Sequence, residues 1–308
     1  LAELSAINFY GDIGNDSLTI NGSAGDEDVV LAVASFSFTG SGFTMTAVDV
    51  DNAWVYSGGG ADTAVFHDSA ESDRFYLNPT NTEITGASFY HYVEAFSRVA
   101  VYVSVGGGDD RAFLYDSAGD EVYVATPDEV TMTGAGFENH AHGFDRTYGY
   151  GKQGGSGDRA EFYDSPDDDQ FISRETYSRV ISSGFNNFVR WFNDIHAYAN
   201  AGGYNRAKLF DTADDDTLTV MPTSVSLAGG GMLRQADGFS RVDAFFKIGG
   251  NDEAYFQDSA GDDELWVGGS TVRMKGNGFN NQAHKFGYVQ ATSSMGGTAF
   301  AISSCKSR

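Results

Sequence analysis

Along most of the chain, apolar and polar residues alternate one by one in short runs such as RAFLY, EVTMT and RAKLF. A period of two sends successive side chains to opposite faces of an extended backbone, so these runs predict β-strands with one buried face. The runs end at Gly-Gly, DSAGD, TPD or TGAGF, which are turn or bend signals. No ten-residue window sustains apolar residues at i, i+3 and i+4 except the short FENHAHGF type of segment, and little helix is expected.

The alternation itself repeats. Counted from the Gly-Gly pairs, units of 47 to 48 residues start at Gly58, Gly106, Gly154, Gly202 and Gly249, with a degenerate unit from about Asp12 and a truncated start at Gly296. The expected organisation is a single repeat domain over 1–308, with units near 12–57, 58–105, 106–153, 154–201, 202–248 and 249–295 and a truncated 296–308. Equivalent positions keep their character, as in Ala64, Ala112, Ala160, Ala207 and Ala254, and two residues on in Phe66, Leu114, Phe162, Leu209 and Phe256. Three further columns are Ile84, Met132, Val180, Leu227 and Met274; Phe89, Phe137, Phe185, Met232 and Phe279; and Phe96, Phe144, Phe192, Phe239 and Phe286. Each is expected to face inward and stack at the strand spacing of about 4.7 to 4.9 Å. The predicted fold is all-β, a tandem-repeat solenoid of the parallel β-helix kind with six units. A β-propeller of four-stranded blades is the alternative. Two coils per unit, or one elongated coil, would both suit the period.

Charge narrows the partners. The chain has 43 acidic and 19 basic residues, a net charge of -24, which argues against nucleic acid and anionic membrane surfaces as general partners. No stretch approaches the roughly 20 apolar residues of a membrane-spanning helix. No basic segment followed by an apolar run opens the chain, so a secretory leader is expected to be absent or removed. The one cysteine, Cys305, excludes a disulfide framework within the chain and a CxxC metal site. Disulfide-free, acidic, Gly- and Asp-rich repeats point to an extracellular, secreted protein, expected to be monomeric.

Every unit carries an acidic turn, for example DSAESD from Asp68, DSAGD from Asp116 and DSAGDD from Asp258. Clustered carboxylates suit Ca²⁺, which takes six to eight oxygen ligands. The candidate ligands are Asp116, Asp120, Asp164, Asp168, Asp211, Asp215, Asp258 and Asp262. An Asx turn, in which the aspartate caps its own backbone, is the other reading. The phrases GGGDD and SAGDD resemble the glycine- and aspartate-rich nonapeptide calcium repeats of RTX proteins, without their nine-residue spacing or consecutive GGxGxD runs.

Function is sought where units diverge, at outward positions. Period two makes Tyr102; Tyr148, Tyr150 and Lys152; His196 and Tyr198; and Asp243, Phe245 and Lys247 outward on the last strand of successive units. The next strand adds Arg111, Arg159 and Arg206, with Lys208, and a column of His67, Tyr115, Tyr163 and Phe210. His142 and Arg190 share a further column, and His140 lies two residues before His142. Aromatic rings beside cations along a solenoid suit an anionic polysaccharide, its carboxylates paired by guanidinium forks. Substrate binding is therefore placed on Arg111, Arg159, Arg206, Lys208, Tyr115, Tyr148, Tyr163, His142, Phe245 and Lys247. If the groove is catalytic, β-elimination on a uronate polymer fits these residue types. Arg190 or Lys152 would neutralise the carboxylate, His196 would take the proton, and Tyr198 or Tyr150 would protonate the leaving oxygen. In architecture the chain resembles the right-handed parallel β-helix polysaccharide lyases. The competing expectation is a non-catalytic glycan-binding, adhesion or structural module.

Overall fold

The structure, a computed structural model, describes residues 5–293 and 300–302. The truncated start at Gly296 and Cys305 lie outside the described residues. The described residues form 32 strands and no helix. They fall into two compact units, residues 1–124 with 128–156 and residues 125–127 with 157–308. Each is a β-solenoid of two sheets, which excludes the propeller.

The first unit runs β1 (Ala6–Tyr10), β2 (Ser17–Asn21), β3 (Asp28–Ala32), β4 (Ser35–Gly40), β5 (Phe43–Val48), β6 (Asn52–Tyr56), β7 (Thr63–His67), β8 (Arg74–Leu77), β9 (Asn81–Thr85), β10 (Tyr90–Glu94), β11 (Arg98–Tyr102), β12 (Arg111–Tyr115), β13 (Val122–Ala125), β14 (Glu129–Gly134), β15 (Phe137–His142) and β16 (Arg146–Tyr150). Sheet 1a has the order β1, β5, β4, β3, β7, β11, β15, β14, β13, and sheet 1b the order β2, β6, β10, β9, β8, β12, β16.

The second unit continues with β17 (Arg159–Tyr163), β18 (Gln170–Arg174), β19 (Tyr177–Ile181), β20 (Asn186–Arg190), β21 (Asp194–Tyr198), β22 (Arg206–Phe210), β23 (Thr217–Val220), β24 (Ser224–Gly229), β25 (Met232–Asp237), β26 (Arg241–Phe245), β27 (Glu253–Gln257), β28 (Glu264–Gly268), β29 (Thr271–Gly276), β30 (Phe279–His284), β31 (Tyr288–Thr292) and β32 (Phe300–Ile302). Its sheet 2a runs β17, β21, β25, β24, β23, β27, β31, and sheet 2b runs β20, β19, β18, β22, β26, β30, β29, β28, β32.

Each sequence repeat is a single strand, a three-stranded antiparallel meander in the facing sheet, and a single strand back in the first. The repeat from Gly58 places β7 in 1a, the meander β8 to β10 in 1b, and β11 in 1a. The repeat from Gly106 inverts this, with β12 in 1b, the last two meander strands β14 and β15 in 1a, and β16 in 1b. Three sheet visits is an odd number, so consecutive repeats begin in opposite sheets and equivalent residues share a sheet only every second repeat. A repeat is thus one and a half coils, rather than one or two. Stacked residues are accordingly 35 to 40 positions apart, as where Thr63 lies opposite Arg98 and Arg98 opposite Glu138, not 48. Neighbouring coils pair in parallel, and antiparallel pairs occur within the meanders.

The inward columns pack as the alternation requires. All are buried except Met232 and Phe286, which are half-buried. Contacts cross between sheets within each unit, with Phe162 of β17 5.9 Å from Phe171 of β18 and the Tyr123 hydroxyl 3.0 Å from that of Thr147. Burying such a ring contributes about 1.5–3 kcal/mol. The glycine opening TGAGF follows from the same packing, since a Cβ on Gly134 would lie 2.4 Å from the Phe137 ring.

One buried column is polar, and the alternation did not single it out: His91, Asn139, Asn187, Arg234 and Asn281. The three asparagines donate Nδ2 to carbonyls about 60 residues earlier, those of Asn78, Thr126 and Met221. Arg234 is fully buried, donating to the Asp216 carboxylate at 3.0 Å and to the Phe210 carbonyl. Burial holds His91 neutral by lowering its pKa to about 4.

Candidate functional site

The acidic turns form three columns with distinct tasks. The first, Asp68, Asp116, Asp164 and Asp211, is buried at strand ends and accepts backbone N–H groups from the turn one coil on. Asp164 alone takes the N–H groups of Asn200 and Ala201 at 2.9 and 3.0 Å. Asp258, also buried, accepts the Ser293 hydroxyl at 2.7 Å. The second column, Glu27, Asp73, Glu121, Asp169, Asp216 and Asp263, reaches back to the serine or threonine four residues earlier, as in Ser165 N–H to Asp169 at 2.9 Å. The third, Asp62, Asp110, Asn205 and Asp252, accepts the N–H of the second-column residue one coil back. Of the exposed candidates, Asp168 and Asp215 accept the N–H groups of Tyr204 and Asn251 at 2.7 Å, while Asp120 and Asp262 lie at turn tips. These are capping carboxylates in the Asx sense. One oxygen each of Asp116 and Asp211 is engaged by protein N–H donors, while Oδ1 of both has no hydrogen-bond partner among the described residues.

The alternation of repeats redistributes the outward residues. In the first unit, Arg111, Tyr115, Tyr148 and Tyr150 share the outer face of sheet 1b, whereas His142, with His67 and Tyr102, is on sheet 1a. In the second unit, Arg159, Tyr163, His196 and Tyr198 share the face of 2a, whereas Arg190, Arg206, Lys208 and Phe245 belong to 2b, with Lys247 just beyond β26. The second unit therefore does not bring Arg190 to the same face as His196 and Tyr198. Tyr150 and the exposed Lys152 belong to the first unit.

The face of 1b is aromatic. Tyr76, Phe113 and Tyr148 stack in one row at 5.0 Å and 12°, and Tyr115 stacks on Tyr150 at 5.2 Å. Phe113, stacked on both sides, presents its edge and not its face to a ligand. Arg74, Arg111 and Arg146 form an adjacent row, where Asp109 pairs with Arg111. On 2a, Tyr163 stacks on Tyr198 at 5.0 Å, and the ionisable groups pair among themselves: Arg159 with Glu161 at 2.9 Å and His196 with Asp194 at 2.8 Å.

The face of 2b differs in charge. Its outward residues include Arg174, Arg179, Arg190, Arg206, Lys208, Arg241, Arg273 and Lys275, against the carboxylates Asp243 and Glu264. In register, Arg206 lies beside Arg241, and Lys208 between Ile172 and Asp243. Phe210, Phe245 and His284 stack along the next row at 5.1 and 4.8 Å, with the Arg174 guanidinium 3.8 Å over Phe210 and the Lys247 amine 4.9 Å from Phe245. Burial raises the Asp243 carboxyl, but hydrogen bonds from His284 and Arg241 outweigh it, and its pKa falls below the usual value. Arg241 and Arg273 are paired with Asp243 and Glu264. Among the described residues, Arg174, Arg179, Arg190, Arg206, Lys208, Lys247 and Lys275 make no ion pair. Column-by-column reading of the repeats could not find this face, because it averages 2a with 2b. Aligning every second repeat would have separated them.

No known family model matches the chain, and no curated protein matches it in sequence.

Proposed function

We propose that the chain is a glycan-binding solenoid module that holds an anionic, uronate-containing polysaccharide on the outer face of sheet 2b, in a secreted setting. The observation that carries this reading is a set of unpaired arginines and lysines gathered on one sheet face of a chain whose net charge is -24. A like-signed face on an oppositely charged molecule has to be held against general electrostatics, and a polyanion is what it recognises. Arg206, Lys208, Lys247 and Arg190 supply the charge, with Lys247 held over the Phe210 and Phe245 rings and Arg174 over Phe210. Binding is favoured over elimination because the base His196 and the acid Tyr198 lie on the face of 2a, away from Arg190.

The test is electrophoresis in gels cast with polyuronate, run beside an absorbance assay for unsaturated uronate. Retardation that weakens as salt screens the charges, with no rise in absorbance, is the expected result. A rise in absorbance would establish the lyase instead, and no retardation by any polyuronate or sulfated glycan would remove the ligand class.

A further inference from the structure

The outer face of sheet 1a holds a cluster that neither the scaffold nor the glycan reading uses. Strands β14 and β15 pair antiparallel, with Glu129 directly opposite His142 and Thr131 opposite His140. His140 and His142, two apart on one strand, point to the same side. Their imidazoles converge on one carboxylate oxygen, with Glu129 Oε1 2.7 Å from His140 Nδ1 and 3.5 Å from His142 Nε2. One ligand atom from each of the three residues lies within 4.8 Å of the others.

Two further contacts prepare this set for a cation. The far nitrogen of His140, Nε2, is 2.7 Å from Glu138 Oε1. That carboxylate fixes the ring so that Nδ1 faces Glu129, the orienting partner that metal-bound histidines commonly have. His142 lies flat on Tyr102, with ring centroids 4.4 Å apart and planes 3° apart, which fixes the second ring. Nor is the trio a demand of the repeat. The corresponding positions of other meanders hold Asn81, Tyr92 and Glu94, or Ser224, Gln235 and Asp237, at the same cross-strand pairings.

We infer that Glu129, His140 and His142 form a binding site for a divalent transition ion of the Zn²⁺ class. Imidazole donors select such ions over Ca²⁺ or Mg²⁺. Ligands about 2.1 Å from one ion in a tetrahedron lie about 3.4 Å apart, so the Glu129–His142 separation of 3.5 Å already suits it, the Glu129–His140 contact of 2.7 Å has to open by under an ångström, and the third separation, within 4.8 Å, has to close by at most about 1.4 Å. Three protein ligands leave a fourth position for water.

The experiment is calorimetric titration of the chelator-treated full chain with Zn²⁺ alone, repeated with Co²⁺ to read coordination from its visible absorption. One ion per chain is expected, with a tetrahedral Co²⁺ spectrum and no competition from excess Ca²⁺. His142→Gln and Glu129→Gln, both at half-buried positions, should weaken binding at least 100-fold and abolish the spectrum. Glu138→Gln should weaken it about 10- to 100-fold, since it removes only the orienting partner. Unaltered melting of the variants would show that they fold. Binding that survives both ligand variants, or a Co²⁺ spectrum that stays octahedral, would overturn the site, as would no saturable binding to the parent chain.

Discussion

A buried aspartate in this solenoid is held by N–H groups, and how well it is held varies from coil to coil. In the column Asp62, Asp110, Asn205 and Asp252, each side chain accepts one backbone N–H from the coil before. Asn205 also donates, through Nδ2, to Asp164 Oδ2 at 2.9 Å and to the Gly202 carbonyl at 2.6 Å. Asp110 has no such donor and stands near the carboxylates of Asp73 and Asp68; burial, with their repulsion, raises its pKa above the ordinary 3.8. A carboxyl whose folded pKa is raised contributes stability fully below its unfolded pKa and loses it as pH rises through the folded value. At neutral pH the charge of Asp110 is therefore a liability. Asp110→Asn keeps the acceptor and adds a donor towards Asp68, so a stabilisation of about 1 kcal/mol is expected at neutral pH. Denaturant midpoints at pH 7 and pH 3 check this. The gain should shrink to nothing at the acid end, and an equal gain at both values would show that the charge is not its source.

At the scale of the element, the strands were legible because alternation and turn residues are local, and the inward columns were legible because every coil needs the same core. Which sheet a strand joins was not legible. The relation between Ala64 and Ala112 looks like simple stacking in the sequence, yet β7 and β12 lie in sheets 1a and 1b. What decides the matter is the number of sheet visits per repeat, which is three and therefore odd because the three-stranded meander stays in one sheet and counts as a single visit. Asn139 and Arg234 escaped for a related reason, being polar residues on an inward face where pattern alone expects apolar ones. The stacking can be tested directly. In a Cys305→Ser background, a short thiol-to-thiol cross-linker should join cysteines placed at His67 and Tyr102, whose rings stack at 5.6 Å, 35 positions apart. Cysteines at the repeat-equivalent pair His67 and Tyr115 should not be joined, because these residues sit on opposite outer faces of the first unit. Linkage of the second pair in place of the first would refute the alternation.

For the molecule as a whole, the alternation turns one averaged surface into faces of different chemistry. The aromatic face of 1b, the paired charges of 2a and the basic face of 2b arise from equivalent repeat positions whose side chains have drifted separately. Candidate cations were visible in the sequence by type, but not by neighbour. Arg159 and Arg206 occupy equivalent positions; Arg159 is answered by Glu161 at 2.9 Å, and Arg206 instead lies 5.0 Å over the Tyr204 ring. These two residues give the most direct measurement of the central claim, that the basic face of 2b alone recognises the anionic glycan. Arg206→Glu and Arg159→Glu are to be compared for retention by polyuronate at matched ionic strength. Retention should fall several-fold or more in Arg206→Glu and stay close to the parent chain in Arg159→Glu. An equal loss in both, or a loss confined to Arg159→Glu, would contradict the claim.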